Sequence, residues 1–111
     1  MTSPAIDAAT FAELQDTAGA EFVGELVGTF LEEAPQILAE LRGALASVSA
    51  DNFRRAAHSL KSNANTFGAL KLGEMARELE LGGLVADEAP VDALQAEYNR
   101  AIVSLKELTG G

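Results

Sequence analysis

Residues 53–69 read Phe53-Arg54-Arg55-Ala56-Ala57-His58-Ser59-Leu60-Lys61-Ser62-Asn63-Ala64-Asn65-Thr66-Phe67-Gly68-Ala69. Within them Phe53, Ala57, Leu60, Ala64 and Phe67 step by four, three, four and three residues, a spacing that returns side chains to one face of a helix with about 3.6 residues per turn. The spacing predicts a helix over about 51–67 with a bundle-type core seam, and Asp51 as its N-cap. Gly68 stands just past the last apolar position, where a left-handed C-terminal cap costs glycine least.

The same periodicity extends in both directions. Upstream, a long pattern runs from about Ala20 to Val48, with Phe22, Val23, Leu26, Val27, Phe30 and Leu31 in its first half and Ile37, Leu38, Leu41, Leu45 and Val48 in its second. Pro35 lies inside it and is expected to kink one continuous helix, since no loop-like gap interrupts the apolar face. Before it, Thr10 is a candidate cap for a short helix over Phe11–Asp16, punctuated by Gly19. Downstream, Leu72, Met75, Ala76 and Leu79 give a further amphipathic segment that ends at Gly82-Gly83. Asp87 to Pro90 form a loop with Pro90 near the first turn of the last helix, and Val91, Leu94, Tyr98, Ile102, Leu105 and Leu108 make its seam. No stretch reads as a strand. Short connections between such helices favour antiparallel neighbours. The expected fold is all-α: a single domain over 1–111, an up-down antiparallel four-helix bundle with a short additional N-terminal helix.

Composition narrows the chemistry. There is no cysteine and one histidine, so thiolate nucleophiles, disulfides and imidazole clusters for a metal are excluded, and no metal is expected. Seventeen acidic residues against eight basic ones give a net charge of -9, which makes nucleic acid and anionic lipid poor partners. The first residues, Met1 to Asp7, carry no basic stretch followed by an apolar run, and no segment approaches the roughly 20 apolar residues of a membrane span. A soluble, cytoplasmic protein is expected. There is no G-x-x-x-x-G-K-[ST] loop and no kinase-type glycine-rich strand, so no ATP-dependent self-phosphorylation is expected.

Advancing 100° per residue from Phe53, the seam residues stay within about 40° of it, while His58 falls at about 140°. Arg54, Lys61 and Asn65 lie between about 80° and 120°, and Ser62 at about 180°, so all share the outward half of the helix with His58. A neutral imidazole is a nucleophile, and an adjacent lysine is a mobile cationic donor to phosphate oxygens. Such a face can receive a phosphoryl group. From spacing alone, an ordinary solvated helix face is the plainer reading.

The string Ala57-His58-Ser59-Leu60-Lys61-Ser62, followed after five intervening residues by Gly68-Ala69, closely resembles the A-H-x-L-K-[G/S]…G-A signature of histidine-containing phosphotransfer (HPt) domains. Phe30-Leu31-Glu32-Glu33-Ala34-Pro35 with Leu38 and Leu41 resembles the proline-bearing helix of that family, and Leu72 to Glu80 resembles the helix after the phosphorylated one. The resemblance spans roughly residues 20–82. It implies that His58 accepts a phosphoryl group from a receiver-domain aspartate or a sensor histidine kinase and relays it to another receiver, with Lys61 stabilising the phosphate. Ser62 stands where many members have glycine, which narrows the approach of a partner slightly. No cofactor is implied for this chain, Mg²⁺ belonging to the partner receiver, and a monomer is expected.

Other residues carry weaker signals. Asn65 and Arg54 are candidates for the phosphate face, Arg77 a further candidate contact from the next helix, and Glu74 is placed like Arg77. Arg54 and Arg55 are also candidates for steering an acidic receiver pocket. Part of the apolar surface at 22–31 is either a docking patch near His58 or covered by Ile6, Phe11 and Leu14. Gly24 and Gly28 read as tolerated glycines more readily than as a close helix approach. Competing readings are a non-catalytic, receiver-binding HPt-like adaptor, the phosphoacceptor helix pair of a sensor kinase and an acyl carrier. The sensor-kinase reading lacks the acidic residue and Thr-Pro expected after the histidine. The acyl-carrier reading lacks an Asp-Ser-Leu attachment site. By segment, residues 51–77 hold five basic and two acidic residues, a local +3 within the acidic whole.

Overall fold

The computed structural model describes residues 5–109. Five helices follow one another: α1 (Ala8–Ala18), α2 (Ala20–Ser47), α3 (Ala50–Thr66), α4 (Leu70–Gly82) and α5 (Ala89–Leu108). No strand occurs among the described residues. Along the chain α2 packs on α3, α3 on α4 and α4 on α5, while α2 also meets α5 and α1 lies against α2 and α3.

The helix ends differ from the sequence expectation in three places, each for a capping reason. α1 starts at Ala8 because Asp7, in extended conformation, is the N-cap; its carboxylate accepts the Thr10 backbone N–H at 3.0 Å and the Thr10 hydroxyl as well. These hydrogen bonds hold the Asp7 carboxyl below the usual carboxylate range. Thr10 is thus the third residue of the helix and not its cap. α3 is capped by Ser49, whose hydroxyl accepts from the Asn52 N–H, and Asp51 falls inside the first turn. α2 ends at Ser47, with Val48 left-handed at φ 54° and 74% exposed, so Val48 does not continue the apolar face.

α2 runs unbroken through Pro35, as one helix and not two. Pro90 lies in the first turn of α5, where its missing N–H removes a donor that has no intrahelical partner anyway. Phe53, Ala57, Leu60, Ala64 and Phe67 are all buried. On α5 the seam is Val91, Leu94, Tyr98, Ala101 and Leu105, with Ile102 at its edge and Leu108 exposed. Phe30 joins the layers, 5.4 Å from the Phe67 ring and 5.6 Å edge-on from Tyr98. On the surface, Arg42 of α2 reaches Glu88, Asp92 and Gln95 at 3.1, 2.8 and 2.7 Å and ties α2 to the start of α5.

The apolar face at 22–31 is largely covered. Val23, Val27 and Phe30 are buried in the same core as Ile6 and Phe11, Leu14, Leu26 and Leu31 are partly buried, and Phe22 stays half-exposed. Glu33, Gln36, Ile37 and Glu40 of α2 share one groove with Ser59, and Gly43, Ala44 and Ser47 share another with it. At about 1.5 Å rise per residue, Phe22 is more than 20 Å along the axis from Ile37. The exposed remnant of this face therefore does not adjoin His58. A side chain added at Gly24 or Gly28 would meet open space, so neither marks a close helix approach.

Candidate functional site

The connection Phe67-Gly68-Ala69 sends the chain back along α3. Gly68 adopts φ +82°, which glycine allows without a steric penalty, and its N–H returns to the Asn65 carbonyl at 3.1 Å. Gly73, fully inside α4, then passes directly under Asn65: a Cβ at Gly73 would collide with the Asn65 side-chain amide. The missing side chain lets α4 lie close to α3. One and two turns further along α4, Ala76 and Glu80 continue the side that faces α3.

His58 and Lys61 meet a single carboxylate on this seam. Glu80 Oε2 lies 2.7 Å from His58 Nδ1, and Glu80 Oε1 lies 2.7 Å from Lys61 Nζ. The imidazole is 56% exposed, the lysine side chain 24% and the glutamate only 13%. The Lys61 ammonium, more than the His58 ring, holds the Glu80 carboxyl below its ordinary value of 4.5, against the effect of desolvation. Glu80 is therefore ionised at neutral pH and can only accept. In the neutral imidazole Nδ1 must then carry the proton, which leaves the Nε2 lone pair unprotonated.

This arrangement suits nucleophilic attack by Nε2 on phosphorus. As a bond forms at Nε2 the ring becomes cationic, and the Glu80 carboxylate stabilises that charge through Nδ1–H, as a buried carboxylate does for a general-base histidine. Lys61 stands beside the same ring with an ammonium to offer to phosphoryl oxygens.

The other expected residues divide. Ser62 is exposed on the same face, with its carbonyl accepting from the Thr66 hydroxyl. Asn65 is at the α3/α4 crossing above Gly73. Arg54 is committed elsewhere: it pairs with Asp51 at 2.9 Å, and Arg55 holds the other oxygen of that carboxylate at 3.0 Å. Both guanidiniums thus compensate the first turn of α3. Arg77 and Glu74 are exposed on α4, and the hydrogen bond and ion pair of His58 go to Glu80 and to neither of them. A concavity lined by Glu40, Ser47, Arg55 and Ser59 lies on the α2 side of α3. His58 is not in its wall, and an acceptor that meets another protein's active site needs an open ring more than an enclosed cavity.

Glu80 and Gly73 were not singled out by the sequence reading. Their signal is the stripe Gly73, Ala76, Glu80, two small residues and one acid within about 60° on α4. It becomes meaningful only once α4 is set against α3.

Comparison with known proteins agrees with the geometry. The family model described as Hpt domain matches residues 25–103. The crystal structure of histidine-containing phosphotransfer protein B (HptB) from Pseudomonas aeruginosa PAO1 superposes with a TM-score of 0.88 at 26% sequence identity, over 98% of this chain and 97% of that one. No curated protein matches the chain.

Proposed function

The chain belongs to the Hpt domain family, and from that premise we propose that His58 is the residue through which it carries out histidine phosphotransfer in a phosphorelay. Nε2 of His58 attacks the phosphorus of a receiver's aspartyl phosphate. The N–P bond forms, the P–O bond to the aspartate breaks, and the carboxylate leaves with the electron pair. Nδ1–H stays on the ring, held by Glu80. The reverse reaction, with a second receiver's carboxylate as nucleophile, returns the imidazole to its neutral tautomer. Lys61 supplies charge to the phosphoryl oxygens, and the small Ser62 leaves room for the partner's active site, with Asn65 beside it.

The observation that carries this reading is the 2.7 Å contact between Glu80 and His58 Nδ1, which keeps Nε2 free on an exposed ring. Proteins of this family interact with receiver domains and histidine kinases. For this chain we assign response-regulator receivers and a sensor kinase as partners, neither nucleic acid nor a membrane, a monomeric state and a cytoplasmic location. No helix among the described residues is long and apolar enough to cross a membrane. The reading assigns no cofactor to this chain, Mg²⁺ being the receiver's. It takes 1–111 as one domain, with α2 to α5 as an up-down antiparallel bundle and α1 as the additional helix. The succession of packed neighbours, closed by α2 against α5, supports that arrangement.

The test is incubation with a phosphorylated receiver. Acid-labile, base-stable label is expected on His58 and lost in His58→Gln. Label that persists in the mutant, or binding with no transfer to any of several active receivers, refutes the assignment, the second in favour of an adaptor.

A further inference from the structure

The ion pairs around α3 and α4 leave one cation of this region uncommitted. Arg54 and Arg55 are held by Asp51, Lys61 by Glu80, and Lys71 stands 4.0 Å from Glu97. Arg77 is exposed and makes no hydrogen bond or ion pair with any described residue. The local +3 of the sequence is thus partly neutralised, two arginines sharing the one charge of Asp51, and Arg77 is the cation of this region with no ion-pair partner among the described residues.

Two cross-helix relationships fix where Arg77 stands. Glu80 is level with His58 and Lys61, and Gly73 is level with Asn65. Arg77 lies between Gly73 and Glu80 on α4, so its level on α3 is that of Ser62. Around α4 it is about 60° from Glu80, turned away from the buried side made by Leu72, Ala76 and Leu79. Arg77 therefore stands on the solvent side of the α3/α4 seam that holds Glu80, about 4.5 Å along the axis from that residue.

The charge at the site calls for such a group. A phosphoryl group brings about two negative charges. Lys61 and Glu80 cancel one another, so even with a cationic ring the phosphorylated site keeps a net negative charge. Ser62 and Asn65 contribute no charge, and Glu74 and Glu78 on the outer side of α4 add to the deficit. We infer that Arg77 is a second cationic ligand of the phosphoryl group on His58, reaching it from α4 across Ser62 while Lys61 reaches it from α3. The inference rests on His58 being the phosphoacceptor.

The experiment is ³¹P NMR titration of the full chain loaded on histidine with phosphoramidate, in wild type, Arg77→Ala, Arg77→Lys and Lys106→Ala. A neighbouring guanidinium favours the dianion, so its removal raises the pH at which the phosphoryl group loses its last proton. Arg77→Ala is expected to raise that midpoint by about half a unit to one unit, less than for a buried pair because the site is open to solvent. Arg77→Lys restores most of the shift. Lys106→Ala removes the same charge from α5, which does not pack against α3, and is expected to change little. Equal midpoints in wild type and Arg77→Ala, or an equal shift from Lys106→Ala, overturn the inference and leave His58 as the acceptor. Absence of phosphohistidine in wild type, or a phosphohistidine signal that survives in His58→Gln, overturns the assignment of His58 and the inference with it.

Discussion

Asp7 sits on Gly68: its backbone N–H donates to the Gly68 carbonyl at 2.7 Å, and its own carbonyl lies 2.9 Å from where a Gly68 Cβ would stand. The entry to α1 is thereby fastened to the exit of α3, the helix that carries His58. Gly68→Ala must adopt a left-handed conformation, costing about 1–2 kcal/mol, and also push a backbone carbonyl aside. The expected loss is about 2–4 kcal/mol in denaturant unfolding. A loss below about 1 kcal/mol contradicts the contact.

Glu80 links stability to pH. Its carboxyl titrates below 4.5 in the fold, chiefly because of Lys61, so the folded protein binds that proton less tightly than the unfolded chain does. The resulting stabilisation is fully present above the unfolded value and disappears as pH falls through the lower folded one. Wild type and Glu80→Gln should differ most in unfolding free energy between about pH 6 and 7, and the gap should close toward about pH 3. A gap independent of pH rules out this ionic origin.

The start of α3 separates two effects that sequence alone merges. Ser49→Ala removes a neutral cap and should cost about 1 kcal/mol at any ionic strength. Asp51→Ala removes the exposed pairs to Arg54 and Arg55, and its cost, about 1 kcal/mol or less at low salt, should fade toward zero in 1 M salt. Thermal unfolding at two salt concentrations checks both.

Tyr98 carries a buried hydroxyl with no hydrogen-bond partner among the described residues, and burial pushes its phenol pKa up. Tyr98→Phe keeps the ring against Phe30 and relieves the unpaired group, so it should be neutral or stabilising by up to about 2 kcal/mol. Tyr98→Ala should cost about 3–5 kcal/mol. Destabilisation of the phenylalanine variant by more than about 1 kcal/mol shows that the hydroxyl is satisfied.

What the sequence showed follows from the range of each interaction. The α3 seam and the Gly68 cap depend on residues within a turn or two, and both were legible. His58 and Lys61 were legible as a polar face because the same local periodicity places them. Glu80 was not: it belongs to another helix, and only the approach of α4 at Gly73 makes one of three glutamates in 74–80 the partner of the imidazole. Arg54 illustrates the converse. Angular position put it on the right face, but Asp51, three residues before it, claims its guanidinium. The capping error at Ser49 arose between two good candidates two residues apart, which helical periodicity does not separate.

The order of the packed helices also bears on how fast the molecule assembles. Most touching pairs are consecutive in the chain, and α3 and α4, which build the site, are joined by three residues. Closing so short a connection costs little chain entropy, whereas bringing α2 to α5 spans the intervening helices. Chains dominated by such local contacts fold in roughly microseconds to milliseconds. The hairpin that carries His58 and Glu80 thus needs the closure of only a three-residue connection to bring the two residues together.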